Sequence, residues 1–241
     1  MSFLFNQTTD GSTYFSWLMS GLLWTLFLWV TSGVAAFALG LIVGSFRTAP
    51  SMALQLIGRC YVQVFRNIPL IVQAFLWYFV LPEVVPRPLG DYIKSVAPPW
   101  ASFVPAVIAL SLYTGARVAE QIRAGIKALP EGQLKAGHAL GMSTFQCYRL
   151  VLIPQALRIT VPTLTSETLG LLKNTSVALT IGLLELTAQA QQINEFTFNT
   201  FGSFGSVTVI YLVTALLVYQ VAALIERLVD IPGSRVTVSR G

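Results

Sequence analysis

The sequence predicts an all-α, polytopic membrane protein with about five transmembrane helices, and three observations carry that prediction. Hydrophobic residues make up 54% of the 241 and charged residues only 10%, against roughly 25% charged in a soluble domain. Apolar runs recur at lengths that match a hydrocarbon core of about 30 Å. The cations gather on one side of those runs, as a positive-inside bias requires. The net charge of +5 fits contact with anionic lipid, and no aromatic-interleaved basic strip points to nucleic acid.

Residues 1–13 are polar and lack the basic start of a cleavable leader. From Tyr14 to Phe46 there is no charge, which is length enough for one tilted span. Gly40 and Gly44 form a small-xxx-small pair, read either as a close helix approach or as the ordinary glycine enrichment of membrane helices. Arg47 stops the run and Pro50 marks a turn. The apolar run Ile68 to Leu81 is too short alone, so the second span is expected to begin near Ile57, with Arg59 snorkelling and a local break at Pro69.

Five prolines between Pro82 and Pro99 exclude a continuous helix there and leave room for one short interfacial helix around Leu89 to Val96. Trp77, Tyr78 and Trp100 suit an aromatic belt. The third span is placed at Ala101 to Ile122. The region 150–190 is apolar but interrupted by Pro154, Pro162, Glu167, Lys173 and Asn174, which predicts a broken re-entrant helix followed by a span from Val177 to Leu186. The last span runs from about Ser206 to Ile225 and precedes a hydrophilic tail. Placing the tail and the basic interval 123–158 inside gives the cytoplasm eleven of the fifteen basic residues and leaves Arg87 and Lys94 opposite, so the N-terminus is expected outside and the C-terminus inside.

Two polar groups fall within the membrane region. Arg117 has Glu120 three residues on, and the guanidinium is read either as paired with that acid or as presented to the carboxylate of a small solute. Glu167, Lys173, Asn174, Thr175 and Ser176 form the second group, read either as capping a half-helix whose amino end welcomes an anion or as satisfying backbone freed by a break. No nucleophile is matched to the single histidine, His138, and no phosphate-binding GxxxxGK[ST] occurs, so neither hydrolysis nor ATP binding is expected of this chain. Cys60 and Cys147 are read as free thiols, and metal ligands are too sparse for a site.

Within 123–158 a helix pair is expected: Pro130 opens the first helix, Gly141 ends it, and Ser143 or Thr144 caps the second. Leu134, Leu140, Met142, Phe145 and Leu150 form either a docking ridge or packing against the protein's own face.

The order Ala136-Gly137, Gly141 and Val151-Leu152-Ile153-Pro154 resembles the cytoplasmic signature of bacterial ATP-binding-cassette (ABC) importer permeases of type I. Lys135 stands where the family usually carries glutamate. FRNIPLIVQ at Phe65–Gln73, TGARVAEQIRAGI at Thr114–Ile126, LPEGQ at Leu129–Gln133, PQALR at Pro154–Arg158 and LLKNTS at Leu171–Ser176 resemble the polar amino acid branch. Arg117 in its TGAR setting and Thr165-Ser166-Glu167 are similar to glutamate/aspartate permeases.

The resemblance implies one transmembrane domain over 1–241 with a coupling-helix region at 128–150. Gln133, Lys135, Ala136, Gly137, Leu140, Gly141, Met142, Phe145 and Pro154 would then serve ATPase coupling, and Arg117, Glu120, Glu167, Lys173, Asn174, Thr175 and Ser176 would serve the solute. It also implies an inner-membrane subunit that is not itself an enzyme. Its partners would be a second permease subunit, forming a heterodimer or a homodimer, an ATP-binding dimer using ATP and Mg, and an extracytoplasmic solute-binding protein. Three other functions stay open: import of glutamine or another polar amino acid, a self-contained ion-coupled carrier, and a noncatalytic assembly factor.

Overall fold

A computed structural model of the chain describes residues 2–6, 11–130 and 132–229. Glu131 and the tail with Arg235 and Arg240 lie outside the described residues. The architecture is all-α. Helix α1 (Tyr14–Phe46) leads to α2 (Met52–Asn67), α3 (Leu70–Phe75), a π-helical turn at Leu76–Val80, and the single turn α4 (Leu81–Val84). The short α5 (Arg87–Ser95) precedes α6 (Trp100–Lys127), α7 (Gln133–Ala139) and α8 (Thr144–Cys147). A second π-helical turn (Tyr148–Leu152) enters α9 (Ile153–Asn174), and a 3₁₀ stretch (Thr175–Ile181) leads to α10 (Leu186–Thr197) and α11 (Thr200–Val229).

Three helices are long and apolar enough to cross a membrane, and the count is up to five if each of two bent pairs is one span. Helix α1 is apolar all round, yet only one narrow stripe is buried: Leu18, Gly21, Thr25, Leu28, Ser32, Ala36, Gly40, Val43 and Gly44. The spacing of three and four residues keeps that stripe on one face, and most of its members are small. Gly21 and Thr25 in that stripe meet Glu185 and Leu186 at the start of α10, and Gly40 and Gly44 lie along α6. A Cβ on Gly40 would collide with Val118, and one on Gly44 would meet the Cβ of Ile122 at 2.8 Å and the carbonyl of Ala119 at 2.9 Å. The pair Gly40 and Gly44 therefore marks a close helix approach. Gly125 plays the same part between α6 and α9, where a Cβ would sit 2.9 Å from the carbonyl oxygen of Ala156.

The break expected at Pro69 is present as a 101° bend between α2 and the helices that follow. Proline supplies no N–H there, and the buried side chain of Gln73 donates from Nε2 to the carbonyls of Phe65 (2.8 Å) and Ile68 (3.0 Å). Freed backbone groups at a bend in an apolar setting need such partners. Residues Arg87–Ser95 form the short helix expected among the prolines.

Two expectations are corrected. Pro154 and Pro162 do not break the region after 150: α9 runs through Pro162 without interruption. Pro154 lies in the first turn, where a missing N–H is tolerated, and the hydroxyls of Thr160, Thr163, Thr165 and Thr168 donate to carbonyls one turn back. Val177 to Leu186 is not a span. Val177 lies in the 3₁₀ stretch, which ends at Gly182 with φ +82°, and Leu186 opens a new helix. The bend there is 51°.

Candidate functional site

Arg117, on α6, donates from Nε to Oε2 of Glu167 on α9 at 2.6 Å and from Nη2 to Oε1 at 3.3 Å. The planar guanidinium thus meets the carboxylate through two parallel bonds, the geometry arginine holds best. The ring of Tyr113, one turn earlier, lies 5.9 Å from the guanidinium carbon, within cation–π range. Glu167 is buried, whereas 45% of the Arg117 side chain remains exposed. The anticipated pairing of Arg117 with Glu120 is corrected, because Glu120 serves Arg47 and Arg123, the latter with Nε at 2.9 Å. The cation three residues further along the helix and the one ending α1 both reach Glu120, and α9 supplies Arg117 with a separate acid.

Thr175 is buried and donates to the carbonyl of Leu172 at 2.6 Å; Ser176 donates to that of Lys173 at 2.8 Å. These hydroxyls close the end of α9, so Asn174, Thr175 and Ser176 do not cap the amino end of the next helix. Lys173 and Ser176 line a separate groove of about 340 Å³ with Thr187, Thr208 and Tyr211. Among the predicted solute residues, the structure brings Arg117 and Glu167 into contact and leaves Lys173 on a different face.

The cap of α10 is Glu185, which sequence reasoning missed. Its Oε1 accepts from the N–H of Ala188 at 2.9 Å and its Oε2 from the Tyr211 hydroxyl at 3.0 Å. Thr25 of α1 in turn accepts from the N–H of Leu186 at 3.0 Å. Glu185 is fully buried, and it joins α1, α10 and α11 through one carboxylate. The available signal was an isolated acid just after Gly182 and before a helical run.

The segment 128–150 is built by local rules. Helix α7 ends at Gly141, φ +82°, with the N–H of Met142 bonded to the carbonyl of Gly137 at 3.0 Å and that of Gly141 to His138 at 3.0 Å. This is the Schellman arrangement, for which glycine is favoured at the left-handed position. Ser143 and Gln146 then form a reciprocal capping box, 3.3 and 2.7 Å. Gly137 is buried against Cys147, whose Sγ leaves no room for a Cβ. Gln133 donates to Gln155 at 2.9 Å and ties α7 to α9. Leu140 (82%), Phe145 (70%) and Leu150 (62%) stand exposed, while Leu134 and Met142 are half-buried. The expected ridge is therefore divided, and three of its five members face outward. Lys135 and Ala136 are exposed beside them. Burial pushes the Tyr148 phenol upward, and its hydroxyl donates to Thr48 at 3.2 Å. Among the described residues no three His, Cys, Asp or Glu side chains are grouped to hold a metal.

Three helices long and apolar enough to cross a membrane, with a half-open ion pair held between two helices of the bundle, mark a polytopic membrane protein with a polar site inside it. The chain belongs to the family described as binding-protein-dependent transport system inner membrane component, whose profile matches residues 36–231. It is similar to the glutamate/aspartate import permease protein GltJ of Escherichia coli, 40% identical over 96% of this chain and 95% of that one. It is also similar to the probable amino-acid permease protein YxeN of Bacillus subtilis, 32% identical over 90% of this chain and 93% of that one. Among solved structures, an amino acid ABC transporter superposes with a TM-score of 0.73 at 32% identity over 89% of this chain and 94% of that one. The inward-facing MetNI methionine ABC transporter shares the fold, with a TM-score of 0.73 at 22% identity, over 89% and 97% of the two chains.

The chain is a permease subunit of an ABC-type amino-acid importer in a bacterial inner membrane, and ATP hydrolysis belongs to a separate subunit. The architecture that goes with the family is a permease, an ATPase and a binding protein.

Proposed function

We propose that this subunit carries acidic amino acids, glutamate or aspartate, delivered by an extracytoplasmic binding protein, and that Arg117 meets the solute's carboxylate. One observation carries this reading: Arg117 sits within a membrane helix, holds Glu167 on one side, and leaves 45% of its side chain uncovered. A charge so placed costs about 2.5–3.5 kcal/mol against lipid on the insertion scale, so its open side faces protein or water. A second permease subunit in a heterodimer supplies the wall across from it, and a carboxylate-bearing solute fits the fork of donors. The similarity to GltJ supports the same substrate class.

The single transmembrane domain spans 1–241. Residues 128–150 form the coupling region, in which Leu140 and Phe145 present their exposed side chains to the ATP-binding dimer. That dimer would hold ATP and Mg. Glu120 acts by fixing Arg47 and Arg123 rather than by touching solute, and Lys173, Asn174, Thr175 and Ser176 shape the end of α9. The distribution of cations favours an outward N-terminus and an inward C-terminus. In the copurified complex with its binding protein in proteoliposomes, glutamate or aspartate is expected to stimulate ATP hydrolysis. Stimulation by glutamine alone would overturn the acidic reading.

A further inference from the structure

Where α1 ends, α2 begins and α6 ends, a cavity of about 660 Å³ is lined by Arg47, Arg59, Arg123 and Lys127, with Gln55 and Tyr148 among its walls. Among the described residues, the carboxylate paired with these cations is Glu120, which is shared by Arg47 and Arg123. Arg59 bonds only the neutral Oε1 of Gln55, at 2.9 Å, and Lys127 enters no ion pair among the described residues. The Nε of Arg47 is buried without a partner. Burial first, and then the nearby Arg123, Arg59 and Arg66, hold the Arg47 guanidinium below the ordinary arginine range. Like charges are thus held close together around an open space with one acid to offset them, which is the electrostatic setting of an anion site.

The neighbouring surface points to the source of that anion. Helix α2 carries Arg59 beside Met52, Leu56 and Ile57, whose side chains are all exposed. An amphipathic helix with cations along one edge of an apolar face lies in the membrane interface. Acyl chains can rest on Met52 and Leu56 while the headgroup enters the basin. Basic pockets between membrane helices bind anionic headgroups in this way.

We propose that the basin is a phosphate site filled by the headgroup of an anionic phospholipid, which bridges α1, α2 and α6 beside the coupling segment. The inference does not rest on which solute is carried.

The test uses the whole copurified complex, reconstituted with phosphatidylglycerol and phosphatidylcholine and then examined for retained lipid by native mass spectrometry. Wild type is expected to retain phosphatidylglycerol preferentially. The double variant Arg59→Gln with Lys127→Gln should lose that preference by roughly tenfold or more, at about fivefold per cation. Neither residue supports a buried contact, and Arg59→Lys should keep the lipid. Equal retention of both lipids by wild type, or undiminished phosphatidylglycerol in the double variant, overturns the site. A second arm follows maleimide labelling of Lys127→Cys in a Cys60→Ser background. Protection by phosphatidylglycerol vesicles supports the lipid. Protection by inorganic phosphate alone removes the lipid as the source, and protection by the ATPase subunit with neither anion effective overturns the site.

Discussion

Arg117 reaches across from α6 to Glu167 on α9, although Glu120 lies only three residues away on its own helix. The two acids divide the cations between them, Glu167 serving the interior and Glu120 the end of the bundle. Replacing Arg117 by alanine removes the charge-assisted bonds, worth about 1.5–3 kcal/mol, and leaves buried Glu167 with only the Gln121 amide, at 3.5 Å, as a side-chain donor. Glutamate uptake by a verified assembly is expected to fall by at least roughly tenfold. Uptake with wild-type affinity and rate would take Arg117 out of the site.

Helix contact between α1 and α6 depends on the absence of a side chain at Gly44. Gly44→Leu forces Ile122 and the Ala119 carbonyl apart and should destabilise the purified protein by about 1–3 kcal/mol, as overpacking does. Gly170, also helical, has nothing within 4 Å of its missing Cβ. Gly170→Ala should leave the thermal midpoint unchanged or raise it, since alanine favours a helix by about 1 kcal/mol. Equal midpoints for the two variants would remove the packing argument.

Glu185→Ala deprives the Ala188 N–H of its acceptor and leaves the Tyr211 hydroxyl to pair with Thr187. The loss of a cap and a buried bond is expected to cost about 2–3 kcal/mol. Glu185→Gln keeps one carbonyl acceptor and should cost less. Thermal unfolding monitored by circular dichroism separates the two, and the order would have to reverse to exclude the capping role.

Leu140→Ala and Phe145→Ala remove exposed apolar surface that the chain itself does not bury. Both should leave the permease folded with an unchanged thermal midpoint while the amount of copurifying ATPase falls several-fold, with about 1.5–3 kcal/mol for each large apolar side chain as the guide. A drop in thermal midpoint without loss of the ATPase would place these residues in the chain's own packing.

The spans were legible where hydrophobicity alone decides them: Tyr14 to Phe46 runs as read, and α6 and α11 differ only in extending beyond their anticipated ends. Proline and glycine were legible where they act through the backbone, as at Pro69 and Gly141. Pro162 misled because α9 continues through it although the proline leaves the Arg158 carbonyl without its helical donor, a tolerance with no periodic signature. The partners of Arg117 and Glu120 were not legible either. Glu120 is the one acid close to Arg117 in sequence, and the pairing with Glu167 instead follows from how α1, α6 and α9 are set against one another. Glu185 stayed hidden because its partners, Thr25 and Tyr211, come from the two ends of the chain.

Tyr148, which opens the second π-helical turn and lies between Phe145 and Leu150 of the outward ridge, belongs to one cluster with Ile126, Ile122 and Val118. Val118 directly follows Arg117. Interiors packed at crystal-like density yield very little when pressed, and nine residues of helix span only about 13.5 Å. A thrust on the outer turn would therefore reach the guanidinium along one continuous helix, Trp100–Lys127. Trimming Ile122 to alanine would soften that path in the middle, uncoupling ATP turnover from uptake while both its ends stay intact.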